Sequence, residues 1–211
     1  MYNQQQNIPL EYYRARYCAL DPEETARRTC IAYDSAAGLF TLGSLGHTIY
    51  ARWPEFDLAP ARPEDCPEIL YGFAMQMLAI RFLLKGSYAL SGGEYKAYCE
   101  LPWGGLYDAN FRGRCIKRLA FAFGGNPDKF EKAAVSLGGV KLELGDASYD
   151  LCFLGNVTCR LILWTPDDEF PPSAQILFSD NTPAAFNAED LAAVGDVIIG
   201  ALKEVSKTGF E

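Results

Sequence analysis

The longest apolar segment of the sequence runs from Ile69 to Leu84 and is interrupted by Gln76 and Arg81. A membrane-spanning helix needs about 20 predominantly apolar residues, so this shorter segment predicts a buried helix of a globular domain. Lys85-Gly86 follows it, and a glycine after a basic last turn is a typical helix end.

Two shorter helices are predicted before this segment. The first covers residues 8–20. The second begins after Asp21, which is a good N-cap because Pro22 suits the first helical position and Glu24 suits the capping-box position. We expect the second helix to continue to about Tyr33.

The first strands are predicted as a hairpin over residues 39–42 and 47–53, joined by Gly43-Ser44-Leu45-Gly46. Residues 54–67 contain four prolines and are expected to form a loop. A later strand over residues 94–101 alternates as a half-buried strand should. It would place four side chains on one face: Tyr95, Ala97, Cys99 and Leu101.

Pro102-Trp103-Gly104-Gly105 then breaks the chain, and a helix is predicted over about 108–123. Its apolar positions recur every four residues, so one side should face the core. That side consists of Phe111, Cys115, Leu119 and Phe123. Asn126-Pro127 indicates the start of another helix, and Gly138-Gly139 its end.

The last third of the sequence predicts a meander. Residues 140–144 alternate up to the turn signal Gly145-Asp146, residues 149–154 return, and Gly155-Asn156 turns the chain into residues 157–164. If Gly155-Asn156 is a two-residue loop, Cys152 lies opposite Cys159 with Cα atoms about 5.5 Å apart. A strand over 174–178 and an acidic helix over 187–205 follow.

Short strands clustered between groups of helices favour an α+β fold over a βαβ repeat. We expect residues 1–211 to form a single domain with a mostly antiparallel sheet, packed by helices and ending in a C-terminal meander over about 140–178. Residues 1–7 lack the basic and apolar segments of a secretory signal. The sequence therefore favours a cytoplasmic protein.

The formal net charge is −8. An acidic balance argues against general binding to nucleic acids or anionic membranes. One basic cluster stands apart, and we interpret it as a solvated helix face, with an anion site as the alternative: Arg112, Arg114, Lys117 and Arg118.

The sequence contains seven cysteines and one histidine, and these limit the metal-binding and catalytic sites that it could form. The cysteines form no close pair of the kind that zinc and iron–sulfur sites use, so no such metal site is predicted and the cofactor stays unknown. They are expected to be free thiols in a reducing compartment. Any Ser-His-Asp or Cys-His arrangement would need the only histidine, His47. At a predicted strand start, His47 is interpreted as a surface hairpin residue.

The turn Trp103-Gly104-Gly105 is the first candidate site. It precedes a helix, and backbone amides at a helix start can hold an anion; Arg112 and Arg114 follow in the sequence. The alternative is a plain turn whose aromatic side chains pack on the sheet.

The loop after Trp164 is the stronger candidate. Asp167, Asp168 and Glu169 are adjacent there and precede Phe170. Neighbouring carboxylates can ligate a hard cation or act as an acid/base pair. No Asp-x-Asp-x-Asp spacing supports a specific metal, and in the alternative interpretation Asp167 or Asp168 caps a turn while Glu169 is solvated.

Several segments resemble an uncharacterised bacterial family, the domain of unknown function numbered 3786. They are Phe123-Gly124-Gly125, Ala133-Ala134, Leu137-Gly138-Gly139, Gly145-Asp146-Ala147, Leu163-Trp164, Asp167-Asp168-Glu169-Phe170-Pro171 and Ile176-Leu177-Phe178. The resemblance implies a cytosolic protein of anaerobic bacteria and supplies no activity. Some members carry a cysteine-rich iron–sulfur segment, which this sequence lacks.

The primary hypothesis is a binding or accessory domain that presents the Trp103 and Trp164–Phe170 loops to a partner protein or a small ligand. The alternative is an enzyme that uses Asp167, Asp168 or Glu169. A third hypothesis is thiol redox chemistry by Cys152 and Cys159.

Overall fold

The computed structural model describes residues 4–207, with side chains from residue 10 onward. The helices are α1 (Gln4–Tyr17), α2 (Pro22–Thr29), α3 (Phe73–Lys85), α4 (Gly104–Phe111), α5 (Lys117–Phe123), α6 (Pro127–Ser136), α7 (Thr182–Ala185) and α8 (Ala188–Val205). The strands are β1 (Ala32–Asp34), β2 (Leu39–Ser44), β3 (His47–Arg52), β4 (Leu58–Pro60), β5 (Tyr95–Ala97), β6 (Val140–Leu142), β7 (Ala147–Cys152), β8 (Thr158–Trp164) and β9 (Ser173–Ser179). The α+β prediction is confirmed.

The strands form two antiparallel sheets. The small sheet has the order β1-β2-β3-β4, and the large sheet has the order β5-β9-β8-β7-β6. The predicted C-terminal meander is therefore confirmed in β6 to β9. Within residues 4–207 no helix combines the length and the apolar character that a membrane span requires.

The small sheet is joined to the large sheet through the tip of its β2–β3 hairpin. The turn is only Leu45-Gly46, with φ of 48° and 76°, the left-handed values that tight hairpin turns require. The Leu45 side chain is buried, and its N–H donates to the Cys152 carbonyl at 2.9 Å. The tip thus inserts against the end of β7.

Several boundary predictions in the first half are wrong. Helix α1 spans Gln4–Tyr17 instead of residues 8–20. Helix α2 ends at Thr29 instead of continuing to Tyr33, because Cys30 adopts a left-handed conformation and residues 32–34 pair with β2. The proline-rich loop contains β4, which pairs with β3. Strand β5 ends at Ala97, because Glu100 accepts a hydrogen bond from the Ala97 N–H at 2.6 Å and closes a 3₁₀ turn.

The helix predicted over 108–123 starts earlier, at Gly104, and contains a π-helical turn over Arg112–Ile116 between α4 and α5. Its inward face is confirmed, since Phe111, Cys115, Leu119 and Phe123 are buried. They belong to one core with the inner face of the large sheet and with α8, which starts at the N-cap Asn187 as predicted.

The predicted pairing of Cys152 with Cys159 is wrong by one residue. Cys152 lies opposite Thr158, and Leu151 lies opposite Cys159. The loop has three residues, closed by the Phe153 N–H donating to the Val157 carbonyl at 2.8 Å, and Gly155 supplies its left-handed position. Because the loop has one residue more than predicted, the register of β7 and β8 shifts by one residue, and Cys152 and Cys159 lie on opposite faces of the sheet.

The two thiols consequently occupy different environments. Cys152 is exposed and Cys159 is buried, and both are free. Burial raises the pKa of the Cys159 thiol, and partial desolvation by neighbouring atoms raises that of Cys152, although its side chain reaches the surface. A buried protonated thiol is inert in disulfide exchange, so the geometry gives the redox hypothesis no support.

The outer face of the large sheet carries a charged cluster over its middle. Arg160 donates to both carboxylate oxygens of Asp150 at 2.8 Å, and its guanidinium lies 3.6 Å from the Tyr95 ring centroid. The Tyr95 hydroxyl donates to Asp150 at 2.9 Å. These contacts attach the short strand β5 to β7 and β8.

Candidate functional site

The Trp103 turn is fixed by the core beneath it. Trp103 has a φ of 67°, a strained value for a large side chain, and the Gly104 N–H donates to the Leu101 carbonyl at 2.9 Å. A Cβ on Gly104 would overlap the Tyr98 carbonyl oxygen. Tyr98 is itself buried, and its ring stacks on Phe111 with centroids 4.2 Å apart.

The Trp103 side chain nevertheless points away from the core. It is 75% exposed, as is Leu106, and Tyr107 is 52% exposed. Residues three and four positions apart share one side of a helix. The first turn of α4 therefore presents one apolar surface, which we call the Trp103 face (Trp103, Leu106 and Tyr107).

A cavity of about 270 Å³ borders this face. Its apolar wall comes from three short segments: Leu101-Pro102-Trp103, residues 183–186, and Ala188 with Leu191 at the start of α8. Arg81, Lys85 and Asp190 supply charge. Its volume is near the lower limit for small-molecule sites, about 300 Å³, and suits one or two side chains of a partner.

The charges in this cavity are largely balanced. Arg81 lies 3.0 Å from the buried carboxylate of Asp190. Burial raises the pKa of Asp190, while the nearby Arg81 acts in the opposite direction. Lys85 is exposed on the rim, and no ion pair found among the described residues includes it. Lys85 is thus available for an acidic group.

The structure does not bring Arg112 and Arg114 to the Trp103 turn. Arg112 pairs with Asp108 at 2.8 Å, and Arg114 pairs with Asp196. Asp196 also pairs with Arg118 at 2.8 Å. These guanidinium groups are engaged along the helix surface, so the predicted anion site is not assembled. Of its five residues, Trp103, Gly104 and Gly105 alone lie together.

The acidic loop after Trp164 is exposed throughout its charged segment. Asp167 accepts hydrogen bonds from the N–H groups of Glu169 and Phe170 at 2.9 and 2.7 Å. Asp167 therefore caps its own turn, while Asp168 and Glu169 extend into solvent. Among residues 4–207 no group of three His, Cys, Asp or Glu side chains could hold a metal ion.

Trp164 ends β8 on the outer face of the large sheet. Its ring lies against Gly145 of the neighbouring β6–β7 loop. Asp146 of that loop accepts from the Thr165 N–H at 2.6 Å and from the Thr165 hydroxyl at 2.7 Å. These hydrogen bonds lower the pKa of Asp146. Trp164 shares a cavity of about 210 Å³ with Arg112.

Sequence reasoning missed the cleft around His47. Two adjoining cavities of about 620 and 610 Å³ share His47, Asp65 and Cys66. The ends of α6 and α8 complete the second cavity through Ser136 and Glu204. His47 and Cys66 are 19 positions apart in the sequence. No local spacing signals their meeting, because strand pairing in the small sheet produces it.

The electrostatics of this cleft do not favour an activated Cys–His pair. Burial lowers the pKa of His47, and burial raises the pKa of Cys66, with Glu204 adding to the increase. Thiol nucleophiles need a lowered pKa. Both shifts favour the neutral form of each group, so the geometry gives thiolate chemistry in this cleft no support.

One family model matches most of the chain. Residues 21–201 match the model of a domain of unknown function, DUF3786. The chain belongs to this family. The match begins at the N-cap of α2 and ends within α8, so the family fold includes both sheets and both candidate loops. No curated protein and no solved structure matches the chain.

Proposed function

We propose that this chain is a protein-binding domain that receives a segment of a partner on the Trp103 face and in the adjoining cavity. The observation that carries the proposal is the rigid display of Trp103. Its backbone is fixed by buried contacts, yet 75% of its surface remains exposed. An aromatic side chain held rigidly in solvent costs little further entropy when a partner covers it.

Trp103 has the properties of an interface anchor. Tryptophan and tyrosine are enriched among residues that dominate binding energies, and such residues lie beside pockets. Here Trp103 forms one wall of a pocket, and Leu106 and Tyr107 extend the apolar surface. Strained backbone conformations also concentrate at binding sites.

The cavity defines the chemistry of the partner segment. Its walls are mainly apolar, and its buried ion pair, Arg81–Asp190, is already satisfied. Lys85 on the rim remains available for a carboxylate. The complementary segment therefore carries one or two apolar anchors and an acidic residue near them.

The enzyme alternative has no supporting geometry. The carboxylates of Asp167, Asp168 and Glu169 line none of the cavities described above. The seven free cysteines support a cytoplasmic location, where thiols stay reduced. A bacterial cytosolic binding domain is the function we propose.

Site-specific photo-crosslinking in the native cell tests the proposal. A benzophenone amino acid replaces Leu106, and adducts are identified by mass spectrometry. We expect one discrete protein adduct, absent when Trp103→Ala is combined with the Leu106 probe. Phe121 is 91% exposed on α5 and serves as the control probe position, where this adduct should not form.

The captured protein is then purified and its affinity measured directly. Trp103→Ala should weaken binding about 30-fold, the effect of an interface hot spot. Equal adducts at positions 106 and 121, or unchanged affinity of Trp103→Ala, would contradict the proposal. Anaerobic purification followed by mass spectrometry provides a further check, because a small molecule retained in the cavity would instead make this a ligand site.

A further inference from the structure

A second exposed apolar patch lies at one end of the large sheet. In the antiparallel meander, the β6–β7 and β8–β9 loops turn at the same end. We call loops 143–146 and 165–172, together with Trp164 at the end of β8, the hairpin end. It exposes Leu144 by 41%, Trp164 by 38% and Phe170 by 65%.

Hydrogen bonds hold the two loops of the hairpin end together. Thr165 donates twice to Asp146 across the loops, and Asp167 organises the turn that carries Phe170. The Trp164 ring covers Gly145. The apolar side chains are therefore displayed by ordered loops, as binding residues on a rigid scaffold are.

The charge around this patch is predominantly negative, and the basic side chains near it are paired with acids. Five exposed acidic residues border it: Glu143, Asp146, Asp167, Asp168 and Glu169. Between Lys141 and Lys203 the only basic residue of the sequence is Arg160. Arg160 is bound to Asp150 through two hydrogen bonds of 2.8 Å. Arg112, which shares a cavity with Trp164, is paired with Asp108.

We infer that the hairpin end is a second interface, which binds a basic segment of a partner protein bearing apolar anchors. The aromatic side chains provide the contact area, and the surrounding carboxylates attract and orient Lys and Arg residues. An anionic partner, such as a nucleic acid, would meet repulsion from all five acids. The inference rests on residues separate from the Trp103 face and is independent of the function proposed above.

Fluorescence anisotropy with defined peptides tests the inference on the full chain. The probe is a labelled peptide that alternates Lys with Leu and Phe, and its Glu counterpart is the reference. We expect Asp168→Lys with Glu169→Lys to weaken binding of the Lys peptide at least about tenfold, and Phe170→Ser at least about fivefold. Raising salt from about 50 to about 300 mM should also weaken it.

Matched variants separate this surface from a general charge effect. Glu11→Lys with Glu55→Lys alters two exposed acids elsewhere, and the net charge changes by the same amount. This control and Trp103→Ala should each alter affinity by less than about twofold.

An equal loss in the control variant would reduce the effect to net charge and overturn the inference. So would a loss in Trp103→Ala, unchanged binding by Phe170→Ser, or equal binding of the Glu peptide. Sedimentation velocity completes the test. Self-association that disappears in the Asp168→Lys, Glu169→Lys variant would identify a second copy as the occupant and also contradict the inference.

Discussion

Trp103 and Trp164 both stand at the end of an element, in segments rich in glycine or proline, but the protein holds them in different ways. The Trp103 turn is fixed by contacts with the core. Gly104 lies close against the Tyr98 carbonyl group, and the buried Tyr98 ring stacks on Phe111. The Trp164 loop is fixed by hydrogen bonds at the surface, in which Asp146 accepts from Thr165 and Asp167 accepts from Glu169.

Because of this difference, we expect variants near Trp103 to change the stability of the whole fold and variants near Trp164 to change only the local order of exposed loops. Changes beneath Trp103 disturb the core, because Tyr98 and Phe111 belong to it. Changes in the hydrogen bonds near Trp164 affect exposed loops that unfold locally without the sheet. The same amino acid is thus displayed by two mechanisms, and variants can distinguish them.

The largest effect is expected from Gly104→Ala. The new Cβ would overlap the Tyr98 carbonyl oxygen, so the turn or the 3₁₀ segment must move. We expect a loss of about 3 kcal/mol in the free energy of unfolding, or about 6–12 °C in Tm. Differential scanning calorimetry measures it.

Gly105→Ala is the matched control, because its Cβ would lie 3.7 Å from the Cys99 carbonyl oxygen, an ordinary contact. Its Tm should stay unchanged or rise slightly, since alanine is a better helix former by about 1 kcal/mol. Equal destabilisation of the two variants would show that the core does not fix the Trp103 turn as described.

Acidification should produce a smaller, local effect at Trp164. The Thr165 hydrogen bonds lower the pKa of Asp146 below its ordinary value. These hydrogen bonds therefore stabilise the fold fully at a pH above the ordinary pKa. Their stabilisation is lost as the pH falls through the lowered pKa. In a Trp53→Phe, Trp103→Phe variant, Trp164 emission should stay constant from pH 7 to about 4 and change below.

Asp146→Asn in the same background gives the control for the pH titration. It should shift the Trp164 emission at pH 7 and remove the acid transition. A transition that persists in this variant would assign the change to another group.

Thiol labelling gives the smallest effect and tests, without altering the fold, whether a partner covers either tryptophan-bearing surface. Iodoacetamide should modify Cys18, Cys30, Cys99 and Cys152, which are exposed, and spare Cys66, Cys115 and Cys159, which are buried. Burial raises the pKa of Cys115 to about 12. Cys99 lies beneath the start of α4 and also lines the cavity beside Trp164. A partner on either tryptophan-bearing surface should therefore slow labelling of Cys99 and leave Cys152 unchanged, as peptide mass spectrometry would show.

The sequence allowed prediction of features that depend on neighbouring residues. The predicted caps Asp21 and Asn126 each accept a backbone hydrogen bond at a helix start. The four buried positions from Phe111 to Phe123 follow from helical periodicity alone. The meander was likewise predictable, because glycine turns separate its alternating strands.

Features set by long-range contacts were not predictable. The register of β7 and β8 depends on whether the loop at Gly155 has two or three residues, and both suit the same sequence. The His47–Cys66 cleft depends on how the small sheet meets α6 and α8. The display of Trp103 follows from the fit of Gly104 against Tyr98, which no pattern in the turn itself indicates.

The Leu45 hydrogen bond to Cys152 has a consequence for engineering this protein. Because Leu45 is buried against the end of β7, the β2–β3 turn is closed to insertions, although most hairpin turns accept them. The β1–β2 turn over residues 35–37 is exposed. A fluorescent tag or affinity loop belongs there, where it leaves both tryptophan-bearing surfaces uncovered.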